Sequence, residues 1–151
     1  MEFKSTLLAV KDMERSVAFY ETVLGLQVVQ DIGANKTLTG GICLQTADTW
    51  ATFIGAREVR FGGNCGELYF EEADFAAFAA KLAAHPIQYV HPVKEHAWGQ
   101  RVVRFYDPDG HIIEVGEELK AGCRRFLAGG MTVEQTAARM DVPLEFVNSC
   151  R

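Results

Sequence analysis

At 151 residues the chain suits one domain, or one domain with an appendage, and can bury a sizeable core. Hydrophobic residues at 48%, charged residues at 23% and a net charge of −5 describe an ordinary globular protein with no electrostatic footprint for nucleic acid or an anionic membrane. No apolar run nears the ~18 residues a bilayer span needs, and Met1-Glu2-Phe3-Lys4 has no signal-peptide pattern, so a cytoplasmic protein is expected.

The first predicted element is a strand over Phe3–Val10. Asp12 is a good N-cap for a helix from Met13 to about Leu24, although Arg15 stands where a capping box would place glutamate. Val17, Tyr20 and Leu24 share its apolar side, which Phe19 and Val23 widen, and Gly25 ends it. Strands follow over Leu26–Asp31, Lys36–Thr39 and Gly41–Thr46. Thr46–Asn64 is a connector with a short helix around Trp50–Ile54 and a Gly62-Gly63-Asn64 loop.

The pattern then returns. Gly66–Glu71 is a strand, Asp74 a cap, and Phe75–Ala84 an alanine-rich helix stopped by His85-Pro86. Ile87–His91 is a strand, and Gln100–Gly116 reads as strand, turn and strand. Pro108 presets φ within Asp107-Pro108-Asp109-Gly110, and Gly110 accepts a positive φ. Each half is therefore βαβββ. Asp12 lies seven residues after Ser5 and Asp74 seven after Glu67, so Ser5 and Glu67 are equivalent, as are Cys43 and Glu114. Glu114 is out of keeping with Ile112, Ile113 and Val115. On a central strand it points into a cavity or needs a partner; on an exposed edge it is unremarkable.

The loop His96-Ala97-Trp98-Gly99-Gln100 places an imidazole, an indole and an amide before the next strand. It reads as a cavity-mouth cluster, or as a surface loop plugged by Trp98. His91 closes a strand, and His85 and His111 belong to structure. Arg101 and Arg104 suit a substrate carboxylate or phosphate, but solvated pairing with nearby acids is commoner, so neither is a candidate. Cys43, Cys65, Cys123 and Cys150 have neither CxxC nor zinc-finger spacing and read as reduced thiols.

Residues 119–151 form a helical tail. Leu119–Ala128 ends at Gly129-Gly130, Thr132 and Gln135 make a capping box for a helix to about Met140, and Pro143 opens a last short helix. Five basic residues against three acids leave the tail at +2 and the remaining 118 residues at −7. Two short helices and a turn without a strongly basic face argue against DNA binding and for a clasp on the main domain or on a second copy.

Asp12-Met13-Glu14-Arg15-Ser16 through Phe19-Tyr20 and Val23-Leu24-Gly25-Leu26, with Phe105-Tyr106-Asp107-Pro108-Asp109-Gly110-His111 through Glu114, resemble the vicinal oxygen chelate superfamily: lactoylglutathione lyases, extradiol dioxygenases and bleomycin-resistance-type binding proteins. The resemblance implies an α+β fold over residues 1–118, in which modules at about 3–46 and 66–116 form a half-open, curled sheet around a ligand cavity, commonly as a homodimer. In metal-using members the ligand positions would fall here on Ser5, Cys43, Glu67 and Glu114. Ser5 and Glu67 stand in place of histidines and Cys43 in place of glutamate, so only Glu114 matches. Two carboxylates would hold a divalent ion weakly, Mg or Mn, with Zn favoured if Cys43 joins and Ni also open. A two-histidine, one-carboxylate iron site is not available from these positions, which counts against dioxygenase chemistry. Without a cation, two facing carboxylates would repel and one would keep a proton, forming a general acid/base pair.

The leading expectation is a lyase or isomerase of glyoxalase-like type acting on a small oxygen-rich molecule. Glu114 and Glu67 would be catalytic or metal-binding, and Ser5, Cys43, His96 and Trp98 would bind substrate. The alternative is a metal-free small-molecule binding protein.

Overall fold

Asp12 caps the first helix, as its place before an apolar run implies. In the computed structural model, which describes residues 1–151, its carboxylate accepts the Arg15 N–H at 3.0 Å and opens α1 (Met13–Leu24). Gly25 closes that helix in the left-handed region, at φ 71°. Ser16, Tyr20 and Val23 form its buried side. The neighbouring strands are β1 (Thr6–Val10), β2 (Val28–Asp31), β3 (Asn35–Leu38) and β4 (Ile42–Thr46), in the order β1-β4-β3-β2 with β1 and β4 parallel. β1 begins at Thr6 rather than Phe3 because β4, its only partner, begins at Ile42. α2 (Ala47–Phe53) starts as soon as β4 ends, earlier than the expected Trp50.

The chain divides into two units, residues 1–66 with 106–111 and residues 67–105 with 112–151. The turn 106–111 belongs to the first unit, and its side chains show why. Asp109 accepts the Lys11 N–H at 3.1 Å, Arg15 Nη2 at 2.8 Å and Ser16 Oγ at 3.3 Å, while Asp107 accepts the Tyr20 hydroxyl at 2.9 Å. Asp107 also takes the His111 Nδ1–H at 2.8 Å, since a carboxylate only accepts. Burial pushes against ionising Asp107, but the His111 bonds and charge outweigh it and hold the carboxyl below its ordinary range. Burial, then Asp107, pushes the Tyr20 phenol far up, so Tyr20 stays a donor.

In the second unit β5 (Glu67–Glu72) leads through Asp74, whose carboxylate accepts the Ala77 N–H at 3.1 Å, into α3 (Phe75–Ala83). Then come β6 (Tyr89–Glu95), β7 (Arg101–Tyr106) and β8 (Ile112–Glu117), in the order β5-β8-β7-β6 with β5 and β8 parallel. This repeats the first sheet strand for strand. Leu7 lies opposite Cys43, and Tyr69 lies opposite Glu114. Those partners sit two residues beyond Ser5 and Glu67, so the sequence offset survives as sheet register. Ser5 itself falls one residue before β1, whereas Glu67 opens β5. β6 runs on to Glu95 instead of closing at His91; it is an edge strand, where Pro92 breaks no ladder, and the register shifts between His91 and Lys94.

The tail is α4 (Leu119–Ala128), α5 (Val133–Met140) and α6 (Leu144–Asn148). Thr132 and Gln135 form the capping box at the head of α5. Cys123, Phe126, Ala137, Met140, Val147 and Cys150 pack into a core of their own, which lets helices this short persist. No helix of the molecule is long and apolar enough to cross a membrane.

Candidate functional site

Strand alternation places Glu67, Tyr69 and Glu71 of β5, Glu114 and Gly116 of β8, and Arg104 of β7 on one face of the second sheet. Glu114 is buried, so its carboxylate needs a counter-charge. Arg104 supplies it. The guanidinium ion-pairs with Glu114 Oε2 through Nη2 and reaches Glu67 with Nε at 2.8 Å and Nη2 at 3.3 Å. Its Nη1 meets His91 Nε2 at 3.3 Å. His91 Nδ1 lies 2.8 Å from the Pro92 carbonyl, which can only accept, so Nδ1 carries the proton and Nε2 accepts from Arg104.

Beside this cluster runs a chain of hydrogen bonds. The Trp98 indole N–H donates to Gln100 Oε1 at 3.2 Å, Gln100 Nε2 donates to the Tyr69 hydroxyl oxygen at 3.0 Å, and Tyr69 donates to Glu71 Oε1 at 2.9 Å. Gly116 makes room for it: a Cβ there would lie 2.9 Å from Gln100 Nε2 and 3.1 Å from the Tyr69 hydroxyl. His96 stacks on Trp98 with ring centroids 4.3 Å apart and planes 19° from parallel. Burial, then the charges of Lys94 and Arg104, hold the His96 imidazole below its ordinary pKa and so neutral near pH 7. Trp98 and Tyr69 remain 43% and 49% exposed, enough ring surface to receive a ligand.

Of the sequence candidates, Glu67 and Glu114 thus meet through one guanidinium, and His96 and Trp98 meet by stacking. Ser5 and Cys43 belong to the first unit, where Cys43 Sγ lies 3.4 Å from Thr37 Oγ1. Arg104, His91 and Tyr69 were not among the candidates, and Gln100 entered only as the amide of the cavity-mouth loop. The alternation Gln100, Val102, Arg104 gives β7 one cation on the Gln100 face, and a buried Glu114 on the neighbouring strand demands one. That signal was present in the sequence. No group of three or more His, Cys, Asp or Glu side chains is arranged to hold a metal ion.

The paired βαβββ sheets and the Asp-Pro-Asp-Gly turn define the class: residues 3–120 match the glyoxalase-like domain, and the chain belongs to that family, within the vicinal oxygen chelate superfamily. Among solved structures, a protein of unknown function from Agrobacterium tumefaciens is 39% identical with a TM-score of 0.72, over 79% of this chain and 95% of that one. A glyoxalase-related enzyme from Fulvimarina pelagi (21% identity, TM-score 0.66, 78% and 88% covered) has the same fold. So does a glyoxalase/bleomycin resistance protein/dioxygenase from Nocardioides (22%, 0.58, 79% and 85%). None of the curated proteins compared matches the chain.

Proposed function

We propose that this protein is a small-molecule binding member of the superfamily that works without a metal, the second of the two readings the sequence leaves open. The observation that carries it is Arg104, a permanent cation already seated between Glu67 and Glu114. A divalent ion on those carboxylates would have to displace the guanidinium, and no third ligand is arranged beside them. With that cation between them, the two carboxylates do not face each other unpaired. The Trp98–His96 stack offers a face to a planar ligand, and Gln100, Tyr69 and Glu71 offer its polar edge hydrogen-bond partners. Four free cysteines suit a reducing cytoplasm. A homodimer, common in the superfamily, is part of this reading.

The test combines element analysis of protein purified without chelators with a thermal-shift screen of planar hydroxylated aromatics. We expect metal well below one equivalent, and a ligand whose stabilisation is lost in Trp98→Ala. A full equivalent of divalent metal that disappears in Glu114→Gln would overturn the reading and restore the metal-assisted lyase or isomerase.

A further inference from the structure

The tail lies almost wholly beyond the matched family domain, which ends at residue 120. Its polar contacts converge on the five-residue loop 96–100. Arg125 of α4 donates through Nη2 to the Gly99 carbonyl at 2.8 Å while binding Glu117 through Nε at 3.0 Å and Nη2 at 2.9 Å. Arg139 of α5 donates to the Ala97 carbonyl through Nη1 and to Glu95 Oε1 through Nη2 at 2.5 Å. Between these two arginines lies the Phe126 ring, with guanidinium carbons 4.4 and 5.5 Å from its centroid. Gly99 sits against that ring. Its φ of 85° suits glycine, and a Cβ there would come within 2.6 Å of Phe126. Within the loop, the backbone is closed by the His96 N–H to Gln100 and Gly99 N–H to His96 bonds, both 2.9 Å.

We propose that the C-terminal helices are a positioning element for the candidate site: Arg125, Phe126 and Arg139 fix loop 96–100 so that His96, Trp98 and Gln100 are set before any ligand arrives. The proposal rests on the reading of that sheet face as a ligand site. A loop of five residues closed by two backbone bonds would otherwise sample many conformations, and a ligand would bear the entropy of ordering it. Two planar guanidinium forks, each spanning a loop carbonyl and a carboxylate, remove that freedom in advance.

Trp98 reports on this directly. In the full chain carrying Trp50→Phe, Trp98 is the sole tryptophan, and protonation of the stacked His96 quenches its emission. The groups acting on His96 are Lys94, Arg104 and His91 from the sheet, with Glu95 next to it in the chain; from the tail, Arg139 binds the Ala97 carbonyl and Glu95, and Arg125 binds the Gly99 carbonyl. In the parent the emission midpoint should lie below the ordinary imidazole value of about 6.5. Arg139→Ala, which leaves the Arg125–Glu117 pair in place, should move that midpoint up toward the ordinary value and make Trp98 more accessible to acrylamide. An unchanged midpoint and unchanged quenching, with helix content intact by far-UV circular dichroism, would overturn the proposal. Were Arg139→Ala to lose helix content, Arg139→Lys, which keeps a charge near Glu95 but cannot span both acceptors, is read in the same way. Since the emission is measured without ligand, the two readings fail separately. A loop that loosens in a protein that binds nothing sinks only the ligand site; an unaltered loop in a protein that does bind sinks only the positioning role.

Discussion

Arg104 decides more about this protein than the four residues its family resemblance points to. Glu114 left two readings open in the sequence, and the structure selects the one in which a buried carboxylate needs a partner. The sequence does not single out that partner, because arginines on strands so often pair with nearby acids in solvent. It does pair with nearby acids, but Glu114 is not in solvent: its side chain is 6% exposed, against 34% for Glu67. That difference sets the energetics. Arg104→Ala would strand Glu114 as an unpaired buried charge and should cost roughly 3–5 kcal/mol. Glu67→Gln removes only a half-exposed pair and should cost about 1 kcal/mol or less. Adding Glu114→Gln to Arg104→Ala should recover a large part of the loss, because no buried charge is then left alone. Urea unfolding of the three variants checks this. Equal losses for Arg104→Ala and Glu67→Gln would mean that Glu114 does not depend on the guanidinium.

At the scale of elements, what the sequence made legible was whatever rested on local chemistry. The caps at Asp12, Asp74 and Thr132, the glycine stop at Gly25 and the repeated βαβββ order all appear as expected, because each is set by a few adjacent residues. The strand ends at Thr6 and Glu95 were not legible, since they depend on where a partner strand begins and on an edge position that tolerates Pro92. Glu117 was missed for the same reason. It lies at the end of β8, fully buried, and only the folded chain brings Arg101 to it at 2.6 Å and Arg125 at 2.9 Å. Burial opposes its ionisation, but the hydrogen bonds and charges of Arg125 and Arg101 outweigh it and hold the carboxyl below its ordinary range. A carboxyl depressed in the folded state stabilises at every pH above its unfolded value of about 4.3. That stability is lost as pH falls through the lower, folded value. Hydrogen-exchange protection in residues 119–151, corrected for the intrinsic rate, should therefore fall selectively under acid, and Glu117→Gln should show the lower protection already at neutral pH with a flatter acid response. The same acid dependence in Glu117→Gln would assign the effect to other carboxyls.

For the whole molecule, the tail's composition bears on how it docks. So many apolar residues imply an extension that packs as a clasp on the main domain or on a second copy. In the structure the tail satisfies most of that need internally, with Cys123 and Phe126 of α4 meeting Ala137, Met140, Val147 and Cys150. What joins it to the second sheet is largely polar: Arg125 to Glu117 and Gly99, and Arg139 to Glu95 and Ala97. Deleting residues 119–151 therefore leaves Arg101 as the only basic partner of buried Glu117, and takes the donor from the Gly99 carbonyl. Leaving such groups underpaired costs roughly 1–3 kcal/mol. For a domain of this size that lowers Tm by about 4–12 °C. Because the lost contacts are charge-assisted, added salt should narrow the gap between full-length and truncated protein by screening the exposed parts of the network. Scanning calorimetry of both forms at low and high salt tests this account. A truncated protein with unchanged Tm would mean that the helices contribute nothing to the second sheet and act as an independent arm. A truncated protein that aggregates regardless of salt would mean instead that an apolar surface, not an ionic one, is what the tail covers.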